Sequence, residues 1–388
     1  MARITLPVRT GGLEVYETGP GCIYPTKAAG PLGRIAYAAA HVVADPAADV
    51  PPWLGSAVDW DATIAFRHHL WGLGFKIAEA MDTSQRGMGL SWDDAKELIR
   101  RSIEASRDVP GADLACGAGT DQLAADPDVT LDQVVRAYEE QLEFIEGLGG
   151  RAILMASRAL ARAAKGPEDY AAVYGRLIRQ TRNKVILHWL GDMFDAQLAG
   201  YWGRADLDRA ADAVVALIEE HADKIDGIKI SLLDKEREVA LRRRLPAGVV
   251  MFTGDDFNYA ELIEGDPQGF SHALLGIFDP IAPAASAALV ALERGYAAEF
   301  RRILEPTVPL SREIFKAPTQ FYKAGVVFLA WLNGHQNHFA MLGGMQSARS
   351  IAHYAEVFRL ADQAGLLIDP DLACARMGSL LAVNGIGQ

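Results

Sequence analysis

The sequence predicts an α/β chain built as a (β/α)8 TIM barrel, with an N-terminal strap and a C-terminal helical extension. Two observations carry that reading: eight short apolar runs follow one another, each trailed by a segment of helical period, and the span from Arg34 to Arg301 is close to the usual barrel length of about 250 residues. A doubly wound sheet is the weaker alternative. The expected division is residues 1–33 as extension, 34–301 as barrel and 302–388 as C-terminal helices.

Residues 1–33 are polar and broken by Gly11-Gly12, Gly19, Gly21 and Pro25, so they read as a hairpin or strap. The first strand falls in Arg34–Val43, and Asp59 caps a helix to Leu73. The second run is Phe75–Met81, after which Ser91, with Asp93 and Asp94 in the first turn, opens a helix to about Arg107. Asp113–Gly119 is the third strand and Thr130–Gly147 its helix. Ala152–Ala156 is the fourth, followed by a helix from Pro167 to Arg182 with proline in the first turn. Val185–Leu190, the lysine-bearing run Asp226–Leu232, Gly248–Thr253 and Ser271–Phe278 complete the eight, with helices over 205–221 and 234–244 between them. The remainder reads as helices over 311–332, 347–364 and 369–383.

At 388 residues and 50% hydrophobic, the chain can bury a large core. A net charge of −12 and the lack of any basic stripe argue against nucleic acid as the main partner. Three widely spaced cysteines, Cys22, Cys116 and Cys374, suggest neither a disulfide framework nor a zinc site. No run reaches membrane-span length and no signal-type segment opens the sequence, so a cytoplasmic protein is expected.

In a barrel of this kind chemistry sits at the C-terminal ends of the strands. Lys229, alternating with Ile228 and Ile230, is the leading candidate: an amine held in an apolar pocket has a lowered pKa and can attack a carbonyl. The bland reading is a lysine paired with a carboxylate. His188, set in Leu187-His188-Trp189-Leu190, would face the same cavity and move protons, although a lone histidine there is more often a satisfied core group. Thr83-Ser84-Gln85-Arg86-Gly87, between a strand and a helix, could cradle a carboxylate with its hydroxyls and N–H groups, or be a plain loop. His41, Thr120, Asp192, Asp255 and Asp256 close other strands and are expected to bind substrate, Asp255-Asp256 being equally readable as a helix cap.

The series Thr83-Ser84 before Leu90-Ser91-Trp92-Asp93-Asp94, Gly117-Ala118-Gly119-Thr120, Gly227-Ile228-Lys229 and Gly254-Asp255-Asp256 resembles the dihydrodipicolinate synthase and N-acetylneuraminate lyase family, from about Arg34 to Arg301. The resemblance implies a class I aldolase or lyase that needs no cofactor. Lys229 would form a Schiff base with a 2-oxo acid, Thr83 and Ser84 would stand for the paired hydroxyls that bind its carboxylate, and a homo-oligomer, dimer or tetramer, would be the assembly. The chain departs from that pattern where the family has a catalytic tyrosine on the fifth strand, a position held here by His188. The arginine that often follows is missing, with Gly191, Asp192, Met193 and Asp195 in its place, and Arg86 could compensate as a carboxylate ligand. The strap and Gly334-His335-Gln336-Asn337-His338-Phe339 have no family counterpart and are candidates to close the mouth; His335 and His338 are also a conceivable metal pair.

The expected function is therefore a Schiff-base lyase or aldolase, cleaving a C–C bond or eliminating water, on a 2-oxo acid or a sugar-derived keto compound, since the acidic mouth disfavours a dicarboxylate. A second reading is a metal-dependent isomerase, epimerase or lyase of a sugar, with Glu79, Asp113, His188 and Asp255 as ligands for a divalent ion. A third is a barrel that binds or scaffolds without catalysis.

Overall fold

The computed structural model describes residues 2–387. The chain opens with β1 (Arg3–Pro7) and β2 (Leu13–Glu17), an antiparallel hairpin whose turn holds Gly11 and Gly12 at φ 94° and 91°, a region that side chains with a Cβ resist. Tyr16 donates its hydroxyl to Asp362 at 2.8 Å and sets its ring edge on Phe358. The hairpin is thus fastened to the helices Ile351–Gln363 and Pro370–Val383.

Eight parallel strands follow: β3 (Ala36–Ala39), β4 (Lys76–Glu79), β5 (Leu114–Ala118), β6 (Arg151–Leu154), β7 (Val185–Leu190), β8 (Ile225–Ser231), β9 (Val250–Thr253) and β10 (His272–Leu275). Each pairs with its sequence neighbour and β10 closes on β3, so the expected (β/α)8 barrel is the fold. Alternation sorts the side chains. Tyr37, Ala39, Ala78, Ala115, Ile153, Ile186, Phe252 and Leu274 form one cluster inside the barrel, while Ile77, Leu154, Leu187, Ile228, Ile230 and Met251 join the larger core beneath the helices. At the N-terminal end Asp113 holds Lys76 at 2.5 Å and Arg151 at 3.3 Å.

The helix starts follow their local signals. Asp59 accepts from Ala62 N at 3.0 Å, Ser91 from Asp94 N at 3.2 Å, and Thr130 with Gln133 makes a capping box. The C-terminal region departs from expectation. In place of one helix over 311–332 there are two, Val308–Ile314 and Tyr322–Leu332, because Pro318 has no N–H to donate and disfavours helix at the residue before it. The next helix begins at Ile351, capped by Ser350, since Gly343 and Gly344 at φ 64° and 67° hold the preceding segment out of helical geometry. No helix of the described residues is long and apolar enough to cross a membrane.

Candidate functional site

Lys229 sits in the middle of β8, level with His188 on β7 and Phe252 on β9. Its side chain enters the barrel, where the strand periodicity sends it, and is buried. Room is made by Gly254: a Cβ there would lie 2.7 Å from Lys229 Cε and 2.3 Å from Ser231 Oγ. The amine forms no ion pair or hydrogen bond with another described residue. Burial lowers its pKa, against the opposing pull of Asp82 and Asp256.

His188 is also buried, with Nε2 3.4 Å from Ser231 Oγ and Nδ1 unpartnered among the described residues. Its pKa is driven well below the usual range, first by burial and then by the neighbouring lysine. The imidazole is therefore neutral and can accept or relay a proton. Asp256 closes the group: its Oδ1 accepts from Ile277 N at 2.9 Å, and burial pushes its carboxyl up to about 7 despite that bond and the nearby Lys229.

A cavity of about 280 Å³ opens at this end of the barrel, lined by Asp82, Thr120, Ser157, Arg158, His188 and Asp195 among others. Thr120 and Ser157 share a hydroxyl hydrogen bond of 2.6 Å there. The expected cradle beside it is largely closed. Ser84, Gln85 and Gly87 give their backbone N–H groups to the carbonyls of Met81, Asp82 and Leu90, and the Ser84 hydroxyl donates to Ala40 O at 2.6 Å. Arg86 donates to Asp121 (2.8 and 2.5 Å), Gln141 (2.7 Å) and the carbonyls of Ala80 and Gly117 (3.0 and 3.1 Å). It ties β4 to β5 and has no donor left for a ligand. Thr83 meets the Tyr322 hydroxyl at 2.7 Å, both buried.

Other expected residues lie elsewhere or are engaged. Asp192 is exposed to solvent. Asp255 accepts from Phe257 N (2.9 Å), Asn258 N (3.0 Å) and Asn258 Nδ2 (2.8 Å), which makes it the pin of its own turn. His41 is locked to Asp279, whose carboxylate takes its backbone N–H at 2.8 Å and its Nδ1 at 2.7 Å.

The metal set is corrected by position and partners. Glu79 is held by Arg67 through two bonds (3.0 and 2.8 Å), by Ser102 and by Ala80 N. Asp113 precedes its strand, at the end of the barrel away from His188 and Asp255. Among the described residues no group of three or more His, Cys, Asp or Glu side chains is arranged to hold a metal ion. His335 and His338 do not pair either: His335 packs against His69 with ring centres 4.5 Å apart and planes tilted by 44°, while His338 Nδ1 accepts from Ala340 N at 3.1 Å.

Two residues at the mouth escape a reading by strand ends: Tyr322 and Lys323, from the first turn of helix Tyr322–Leu332. Asp82, just past the end of β4, lies within electrostatic reach of both Lys229 and this second buried amine, Lys323. The signal for Lys323 was present, since a lysine inside the run Tyr322-Lys323-Ala324-Gly325-Val326-Val327 poses the same question as Lys229.

The profile of the family described as "protein of unknown function (DUF993)" matches residues 4–386. The chain belongs to the DUF993 family. No curated protein matches it in sequence. Among solved structures, this DUF993 chain is similar to dihydrodipicolinate synthase from Aquifex aeolicus, at TM-score 0.65 and 12% identity over 86% of this chain and 99% of that one. YagE, a prophage protein of the dihydrodipicolinic acid synthase family from E. coli K12 solved with pyruvate, gives TM-score 0.66 and 13% identity over 86% and 99%. The enzyme from Cyanidioschyzon merolae, solved with lysine bound, gives TM-score 0.64 and 16% identity over 87% and 100%. The DUF993 chain thus shares the dihydrodipicolinate synthase fold and carries additional residues around it.

Proposed function

We propose that this protein is a Schiff-base-forming lyase or aldolase acting on a 2-oxo acid or a sugar-derived keto compound. The observation that carries the reading is the Lys229 amine, buried inside the barrel with no carboxylate paired to it among the described residues and its pKa lowered. A lysine kept charged for structural reasons is normally given a partner, because an unpaired buried ammonium costs several kcal/mol, roughly. A lysine kept uncharged part of the time is a nucleophile.

In the proposed cycle Lys229 Nζ adds to the ketone carbon. The oxygen of the resulting carbinolamine takes a proton and leaves as water, and the iminium that remains draws electrons from the neighbouring C–C bond or Cα–H bond. His188, neutral and level with the lysine, takes and returns the proton. Asp256, with a carboxyl near 7, is protonated often enough to supply one to the departing oxygen. The Thr83–Tyr322 hydroxyl pair extends this proton path, a role fitting a fifth strand that carries histidine. Thr120, Ser157 and Asp82 line the cavity where substrate hydroxyls would sit. Ser84 and Asp255 act by positioning, since their polar atoms are already bonded within their own turns.

The test is reduction with borohydride in the presence of a panel of 2-oxo acids and keto sugars, with peptide mapping. The reading expects adduct mass on Lys229 alone, abolished in Lys229→Met. A compound that is turned over without ever being reduced onto Lys229 sinks it.

A further inference from the structure

We propose that Lys323 holds the substrate's anionic group, a carboxylate or a phosphate, while Lys229 engages its ketone; this deepens the Schiff-base reading and rests on it for the second half. The question arises because the other cations at the mouth are spoken for. Arg86 has spent its donors on Asp121, Gln141 and two carbonyls, Arg158 is paired with Asp195 at 2.5 Å, and the Ser84–Gly87 turn has turned its N–H groups inward. Lys323 is different. It is 4% exposed, yet its ammonium meets Gln320 O at 3.1 Å, the weak acceptor Met88 Sδ at 3.5 Å and the face of the Tyr322 ring at 4.6 Å from its centre, with no ion pair among the described residues. An ammonium has three donors, and only one of these meets an oxygen, in a place where weak partners leave the charge poorly compensated.

Charged groups near it line the cavity. Asp82, Arg158 and Asp195 all act on its charge, and all three line the space at the barrel mouth. Met88, on which its amine rests, directly follows the Thr83–Gly87 turn, and its neighbour Tyr322 bonds Thr83. An anion bound here would meet one unpaired cation, with Arg158 beside it, while Asp82 and Asp195 disfavour a second anionic group. The ligand class is therefore a keto compound with a single anionic group.

Two measurements separate this from the Schiff-base reading. Oxamate, an unreactive carboxylate, and inorganic phosphate are titrated into the full chain and into Lys323→Met, whose fold is checked by thermal melting, with Lys323→Arg as the charge-preserving control. Loss of one charge-assisted hydrogen bond should weaken binding roughly ten- to a hundredfold in Lys323→Met and far less in Lys323→Arg; whichever anion is preferred names the group. Equal binding by wild type and Lys323→Met, or no saturable binding of either anion by wild type, overturns the assignment. In parallel, pyruvate and the neutral ketone hydroxyacetone are trapped with borohydride: Lys323→Met should slow the first and spare the second. Failure of both ketones to trap in wild type, beside Lys323-dependent anion binding, overturns the Schiff-base reading alone.

Discussion

Gly254→Ala is the most direct probe of how the Lys229 amine is positioned. The new methyl group would sit 2.3 Å from Ser231 Oγ, 2.7 Å from Ile230 O and 2.7 Å from Lys229 Cε. The hydroxyl and the lysine chain can rotate, but Ile230 O accepts the Gly254 N–H at 2.8 Å, so that carbonyl withdraws only by stretching the link between β8 and the turn after β9. Overpacking of this kind costs about 1–3 kcal/mol. For a chain of 388 residues that is a fall in Tm of roughly 1–4 °C. Lys229 yields at the same time, and a displacement approaching 1 Å costs up to about a hundredfold in rate. The assay pairs calorimetric melting with the borohydride trapping rate on pyruvate. A variant that melts and traps like wild type refutes the packing argument; one that melts lower but traps at full rate shows that Gly254 does not position the amine.

Lys229→Met should stabilise the protein while abolishing trapping, because the native lysine has a depressed pKa. The unfolded chain binds its proton more readily, so the burial cost is felt at low pH and fades as pH rises toward the unfolded value; the stability gap between variant and wild type in urea should narrow accordingly. For Asp256 the sign is opposite: its folded pKa, about 7, lies above the unfolded one, so its stabilising contribution is present at low pH and lost as pH climbs toward 7, and Asp256→Asn should flatten that part of the urea-stability profile. Arg67→Met strands the fully buried Glu79 carboxylate and should cost about 3–5 kcal/mol in urea unfolding, with most of it regained in Arg67→Met/Glu79→Leu; a loss below 1 kcal/mol, roughly, would contradict the account of Glu79 as a strut. Tyr322→Phe removes the Thr83 partner at about 0.5–1.5 kcal/mol and should slow turnover more than iminium formation, read by comparing steady-state rate with trapping rate.

What was legible in the sequence was whatever is decided over a few residues. The caps at Asp59, Ser91 and Thr130 act on N–H groups three positions away, and the eight strands announce themselves as apolar runs, so the fold could be read. Lys229 and His188 were readable for the same reason, since strand alternation sends them into the barrel interior and neighbouring parallel strands set them level. Where the reading failed, the deciding partner was distant or belonged to another element. Glu79 looks like a free mouth carboxylate until Arg67 on the preceding helix takes both its oxygens. Ser84 looks like an oxyanion ligand until Ala40 O claims its proton, and Arg86 like a substrate clamp until Asp121 and Gln141 close around it. Lys323 is harder to read, because a helical run hides a single buried cation better than a strand does.

Under the proposed chemistry the Lys229 amine has to be kept reactive. Burial alone would hold Lys229 neutral but would leave nothing to supply the protons that carbinolamine breakdown consumes. Two ionised carboxylates beside it would supply attraction and restore the charge. The arrangement lies between these limits: Asp82 and Asp256 both favour the ammonium, yet Asp256 is itself so buried that its carboxyl rises to about 7, and near neutral pH it is protonated about as often as not. Each of the two groups therefore weighs on the charge of the other. His188 contributes by being uncharged, because an imidazolium level with Lys229 would raise the cost of every charged intermediate. In the proposed cycle a tyrosine on that strand would bring its own proton to the ketone; a neutral histidine would bring a base, which would move the burden of proton donation onto Asp256 and the Thr83–Tyr322 pair.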